Sequence, residues 1–197
     1  MSYKKIYILS VLIGLIVGMI VIVVVKYSST PGNTSATLPG WVEVTPPTRL
    51  FTASFPVSPE RTETELPIPG SDYSLIQEFH TAIDGKGNIY HIATFVYPQP
   101  FNPEQADDLL DAALQGMATA APGSTILEST KAKFNDLPAK MFMIQDKDGH
   151  YHQGELFLKG RVLYQAFITY DGGDLAEADL QHFLDSITPT ADTEPAL

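Results

Sequence analysis

The chain has 197 residues, a formal net charge of −11 and no cysteine. Without cysteine it cannot form disulfides, thiolate metal sites or a cysteine nucleophile. All 23 acidic residues lie beyond position 40. An acidic region of this kind repels phosphate backbones, so we expect no nucleic-acid partner.

An uncharged segment runs from Ile6 to Val25, with Lys4 and Lys5 before it and Lys26 after it. Its length matches the roughly 20 residues that a helix needs to cross a bilayer. We therefore predict that residues 1–26 form an uncleaved, single-pass anchor in the cell (inner) membrane. The excess of lysine before the segment predicts a cytoplasmic N-terminus and a periplasmic or extracellular domain. The alternative is a signal peptide cleaved near Ala36, which would release a soluble secreted protein.

Residues 27–40 are rich in Ser, Thr, Pro and Gly and have no apolar period, which predicts a flexible linker. Apolar periodicity then continues from residue 41 to residue 188, a length typical of one domain. Residues 189–197 contain too few apolar side chains to form a core and are predicted to be a disordered tail.

Within the domain, alternating apolar residues predict strands and apolar residues at helical spacing predict two helices. The first helix begins at an Asn102 N-cap and ends at Ala121-Pro122-Gly123, and its predicted buried positions are Ala106, Leu109, Leu110, Ala113, Leu114 and Met117. The second begins at an Asp174 N-cap with Glu177 in a capping box, and its apolar positions are Leu180, Phe183, Leu184 and Ile187. Two-residue turns are expected at Asp148-Gly149 and Lys159-Gly160. The predicted strands are Trp41–Val44, Phe51–Phe55, an edge strand near Thr62–Leu66, Tyr73–Ile83, Asn88–Tyr97, Thr125–Phe134, Ala139–Asp146, Tyr151–Leu158 and Arg161–Tyr170.

This order of elements has no βαβ rhythm and predicts an α+β domain, in which a mostly antiparallel sheet is flanked by helices. The strands Tyr73–Ile83 and Asn88–Tyr97 form the first hairpin. If their loop is even-numbered and centred on Gly85 and Lys86, Phe79 lies opposite Ile92 and His80 lies opposite His91.

That register places two histidines across neighbouring strands, with Glu78 beside His80. Imidazole and carboxylate groups so arranged could hold a metal ion or act as a proton switch, and a metal-dependent or hydrolytic enzyme is the alternative function that they imply. The other interpretation is that both histidines are half exposed on a polar sheet face. His150 and His152 form a second pair but have no third ligand. No G-x-S-x-G nucleophile motif occurs.

The domain resembles the PsbP-like superfamily, which has bacterial envelope members related to PsbP and DcrB. The residues that carry the resemblance are Trp41, Phe51-Thr52-Ala53-Ser54-Phe55-Pro56 followed by Pro59, Leu137-Pro138-Ala139, Arg161-Val162-Leu163-Tyr164 and Phe183-Leu184-Asp185-Ser186-Ile187. The resemblance covers residues 41–188 and implies a binding or assembly module without catalysis.

Together these features predict a non-catalytic, extracytoplasmic module of the bacterial envelope, anchored in the membrane through Ile6–Val25. We expect a protein partner in the envelope and no cofactor. His80, His91 and Glu78 are the candidate metal ligands.

Overall fold

The computed structural model describes residues 40–67, 74–172, 175 and 177–190. The predicted membrane helix Ile6–Val25, most of the linker, the Asp174 N-cap and residues 191–197 of the predicted tail lie outside these ranges. Within them, neither helix is long and apolar enough to span a membrane.

The described residues form a mostly antiparallel β domain with two α-helices, which confirms the predicted α+β class. A 3₁₀ turn at Pro103–Gln105 leads into the first helix, and the predicted N-cap is present because the Asn102 side chain accepts a hydrogen bond from the Glu104 amide. The elements are β1 Val42–Val44, β2 Phe51–Phe55, β3 Glu60–Pro67, β4 Ser74–Ile83, β5 Ile89–Val96, α1 Ala106–Ala120, β6 Thr125–Phe134, β7 Leu137–Gln145, β8 Tyr151–Lys159, β9 Val162–Tyr170, α2 Glu177–Asp185 and β10 Thr188–Pro189.

A seven-stranded antiparallel sheet with the order β3-β4-β5-β9-β8-β7-β6 forms the centre of the domain, and β1, β2 and β10 form a small second sheet. The small sheet and α2 pack on one side of the large sheet, which we call face A. Helix α1 packs on the other side, face B. The central strands β5 and β9 are buried on both faces and are apolar along most of their length, as expected for strands that are covered on both sides.

Two hydrophobic cores result from this layering. On face A, β2 contributes Phe51 and Phe55 and α2 contributes Phe183, all three fully buried against the sheet. On face B, Leu110 and Leu114 of α1 lie against the sheet. The apolar positions predicted for α2 (Leu180, Phe183, Leu184 and Ile187) are all buried.

Two hairpin loops have the same pattern of hydrogen bonds, and both differ from the turns that the sequence predicted. In the β4–β5 loop, the Asp84 carboxylate accepts hydrogen bonds from the backbone amides of Lys86 and Asn88, and Gly87 has a φ of 90°. The loop therefore contains three residues, 85–87, instead of an even number. As a result, Phe79 lies opposite Ala93, and His80 lies opposite Ile92 instead of His91.

The β7–β8 loop repeats the arrangement, so the two-residue turn predicted at Asp148-Gly149 is also wrong. Here the Asp146 carboxylate accepts hydrogen bonds from the amides of Asp148 and His150, and Gly149 has a φ of 93°. An aspartate side chain bonded to amides two and four residues further on stabilises this longer loop.

The predicted tail began too early. Pro189 is buried in β10, which pairs with β2, and Lys159 Nζ donates a hydrogen bond to the Pro189 carbonyl oxygen at 2.5 Å. The folded domain therefore continues through Pro189, because β10 pairs with β2 and Pro189 is buried.

Candidate functional site

Glu78 and His80, two of the predicted site residues, lie together on face A of β4. Both are buried, and His80 Nε2 is 2.9 Å from Glu78 Oε1. Arg61 of the edge strand β3 donates to the same carboxylate oxygen, and Thr48 Oγ1 donates to Oε2 at 2.5 Å. The His80 ring lies edge-on to Phe51, with 5.1 Å between centroids.

This cluster holds the Glu78 carboxylate as an anion. Burial alone would raise the pKa of Glu78, but the hydrogen bonds from His80, Thr48 and Arg61 outweigh it and lower the pKa to about 2. Both carboxylate oxygens already accept hydrogen bonds. The arrangement therefore suits a structural role, in which it joins the loop before β2 and the edge strand β3 to the sheet.

His91, the third predicted site residue, lies on face B and does not face His80. Its ring stacks on Phe167 with 4.6 Å between centroids, and its Nδ1 is 3.3 Å from Thr81 Oγ1. Burial, together with the nearby His152, lowers the pKa of His91 to about 3. His91 is therefore neutral at ordinary pH. The predicted site that combined both histidines is not formed, because a one-residue change of register moves side chains to the other face.

His150 and His152 meet the Asp146 carboxylate at the β7–β8 loop. His150 Nδ1 lies 3.0 Å from Asp146 Oδ2 and its Nε2 lies 3.1 Å from Asp171 Oδ1. His152 Nδ1 lies 2.8 Å from Thr169 Oγ1. Across the part of the chain that the structure describes, no group of three or more histidines and carboxylates is arranged to hold a metal ion.

The sequence did not predict that part of face A, on strands β7, β8 and β9, is left uncovered. The small sheet and α2 cover Ala139 and Phe157 there but leave Met141 half exposed. We call this surface the open face. It consists of Met141 and Met143 of β7, Tyr151, Gln153 and Glu155 of β8, and Tyr170 of β9.

The open face is apolar and aromatic at its centre. The rings of Tyr151 and Tyr170 stack with 5.6 Å between centroids, and the Tyr170 hydroxyl donates a hydrogen bond to Gln153 Oε1 at 2.9 Å. These contacts hold the three side chains in one arrangement beside the two methionines. Methionine and tyrosine are favourable contact residues at protein interfaces, so the surface is suited to binding another protein.

Compared with known proteins, the chain matches no family model, and no curated protein matches it at a significant level. Its function must therefore be inferred from its own residues and fold.

Proposed function

We propose that the protein is a non-catalytic binding or assembly module of the bacterial envelope. The open face carries this proposal. It places the exposed Met141 and the partly exposed Met143, Tyr151 and Tyr170 on an antiparallel sheet, which is the kind of surface that a protein partner can cover. Residues 1–26 anchor the module in the membrane, and residues 27–40 separate the domain from the lipid headgroups.

The buried titratable groups support a binding role over catalysis. Glu78 is bonded to Arg61, Thr48 and His80, and His91 is stacked under α1 on the opposite face. One substrate could not contact both groups, because they lie on opposite faces of the sheet. The antiparallel sheet with one helix on each face also supports the proposed PsbP-like architecture.

Site-specific photo-crosslinking in cells tests the binding role. The full-length chain carries a photoreactive amino acid either at Met141, on the open face, or at Ile83, which is equally exposed (50%) at the far end of β4. We expect a discrete crosslinked species from position 141 and none from position 83. If neither position gives an adduct, or both give the same ones, the proposal is wrong.

Protease accessibility tests the placement. In a bacterial host, the domain is expected to be protected in intact cells and digested in spheroplasts, while the protein fractionates with the membrane. The intact mass of the cellular protein separates an anchored chain from one that has been cleaved near Ala36. A domain protected in spheroplasts as well would contradict the outward orientation.

A further inference from the structure

The charges on strands β6 and β7 are sorted between the two faces of the sheet. Lys131 of β6 and Lys140 of β7 lie opposite each other on face B, where they pair with Asp107 and Asp111 of α1. Helix α1 therefore neutralises these two lysines on face B.

The open face carries the opposite sign. Glu155 belongs to it, and Glu128 of β6 lies opposite Met143 on the same side. From α2, Asp185 acts electrostatically on Glu155, and Glu177 acts on Tyr170. None of these four carboxylates forms an ion pair with another residue in the described ranges of the chain.

Glu155 lacks a partner for a buried atom. Its Oε2 is inaccessible to solvent and accepts no hydrogen bond from the described residues. A buried carboxylate oxygen without a partner is costly, so the Glu155 carboxylate, whose side chain is only partly buried, would be stabilised by a cation that a ligand places beside it. Glu155 lies opposite Met141 in the sheet, and Met143 is the next residue on the same face of β7, so the same ligand would also cover apolar surface.

We propose that the open face binds a basic segment of a partner protein, in which apolar side chains cover Met141 and Met143 and a lysine or arginine pairs with Glu155. This inference rests on the proposed binding function and adds the chemistry of the partner. A second copy of the chain would bring like charges together in a symmetric contact. An anionic lipid surface would be repelled in the same way. A basic polypeptide complements both the charge and the apolar centre.

Methionine methyl NMR provides a test that reads the surface directly. The full-length protein, labelled with ¹³C at its methionine methyl groups, is placed in zwitterionic lipid nanodiscs and titrated with a blocked peptide of alternating lysine and leucine. We expect the Met141 and Met143 methyl signals to shift, while the signal of Met117, which is buried on the inner side of α1, stays in place. A glutamate–leucine peptide and a lysine–serine peptide should bind at least about ten-fold more weakly.

Two matched variants locate the charge. Glu155→Gln should weaken the lysine–leucine peptide by about ten-fold, whereas Glu104→Gln, which removes the same charge from the exposed 3₁₀ turn, should change the affinity by less than about two-fold. The proposal is overturned if Glu104→Gln weakens binding equally, or if either control peptide binds as well. It is also overturned if protein concentration alone, or anionic lipid alone, moves the two methyl signals.

Failure of this inference can be told apart from failure of the proposed function. If crosslinking at Met141 captures a partner but the basic peptide leaves both methyl signals unmoved, the binding function stands and the charge-based recognition is wrong. If crosslinking also fails, both proposals are wrong.

Discussion

Gly154 lies opposite Phe167 in the β8–β9 pairing, and it allows that ring to lie over the sheet on face B. A Cβ atom at position 154 would lie 2.5 Å from Phe167 Cα and 2.7 Å from Phe167 Cβ, and would also meet the Ala166 carbonyl oxygen. Phe167 in turn contacts the rings of His91, Phe142 and His152. Gly154 is therefore required for the aromatic packing of face B.

Gly154→Ala should lower the free energy of unfolding by about 3 kcal/mol, because the backbone of β9 would have to move to admit the methyl group. Urea unfolding followed by circular dichroism measures the loss. Gly85→Ala is the matched control, since a Cβ there has nothing within 4 Å, and it should change stability by less than about 0.5 kcal/mol. Equal effects of the two substitutions would contradict the packing role of Gly154.

Glu78 gives the domain a defined dependence on pH. Its pKa is about 2 in the folded protein, below its ordinary value of 4.5. A carboxylate whose pKa falls on folding stabilises the fold above its unfolded pKa, and the stabilisation is lost as the pH drops toward its folded pKa. The contribution of Glu78 is therefore complete above pH 4.5 and declines between pH 4.5 and 2.

Glu78→Gln should destabilise the domain by about 3 kcal/mol at pH 7, because Arg61 and His80 lose their anionic partner. The difference between variant and natural protein should shrink by roughly 1.4 kcal/mol for each pH unit below 4.5. Urea unfolding at pH 7 and pH 3 measures both values. Glu63→Gln removes the other, exposed partner of Arg61 and should cost less than about 1 kcal/mol. A difference for Glu78→Gln that does not change with pH would refute this account.

Elements with local signals could be predicted from the sequence. The Asn102 cap and the Ala121-Pro122-Gly123 stop bracket α1, and five of its six predicted core positions are buried, with Leu109 half-buried. Alternation located most strands to within two residues. These features depend on neighbours along the chain, so the sequence contains what determines them.

Strand register depended on side-chain bonds that composition does not reveal. Asp84-Gly85-Lys86-Gly87 is compatible with an even-numbered turn, but the hydrogen bonds that the Asp84 carboxylate accepts from the amides of Lys86 and Asn88 favour an odd-numbered loop. The one-residue difference in loop length places His80 and His91 on opposite faces of the sheet. The candidate site was thus lost through one loop, although the neighbouring pair of Glu78 and His80, both on β4, was predicted correctly.

The open face could not be predicted, because it depends on which elements cover which part of the sheet. Met141 and Phe142 are equally apolar neighbours on β7, yet Phe142 is buried under α1 and Met141 is half exposed. Apolar residues on both sides of a strand usually indicate that both faces are covered. Only the position of the small sheet and α2 shows that face A is left open here.

At the scale of the whole molecule, the two cores share one sheet. Strands β5, β8 and β9 contribute alternate residues to face A and face B, so loss of either core removes the support of the other. Trp41 is the single tryptophan of the chain and packs against Tyr90 and His182 on face A. Its fluorescence therefore reports on face A, at a distance from α1.

This shared sheet predicts that a cavity on face B destabilises face A equally. Leu110→Ala empties a fully buried position of α1 and should cost about 3 kcal/mol or more. We expect the domain to unfold as one unit, so the midpoints measured by Trp41 fluorescence and by circular dichroism should fall together. Gln115→Ala, on the exposed side of the same helix, should leave both within about 0.5 kcal/mol. If Leu110→Ala lowers the circular dichroism midpoint but leaves the midpoint measured by Trp41 fluorescence unchanged, the two cores unfold separately. The stability of the open face would then depend on the core of face A and not on that of face B.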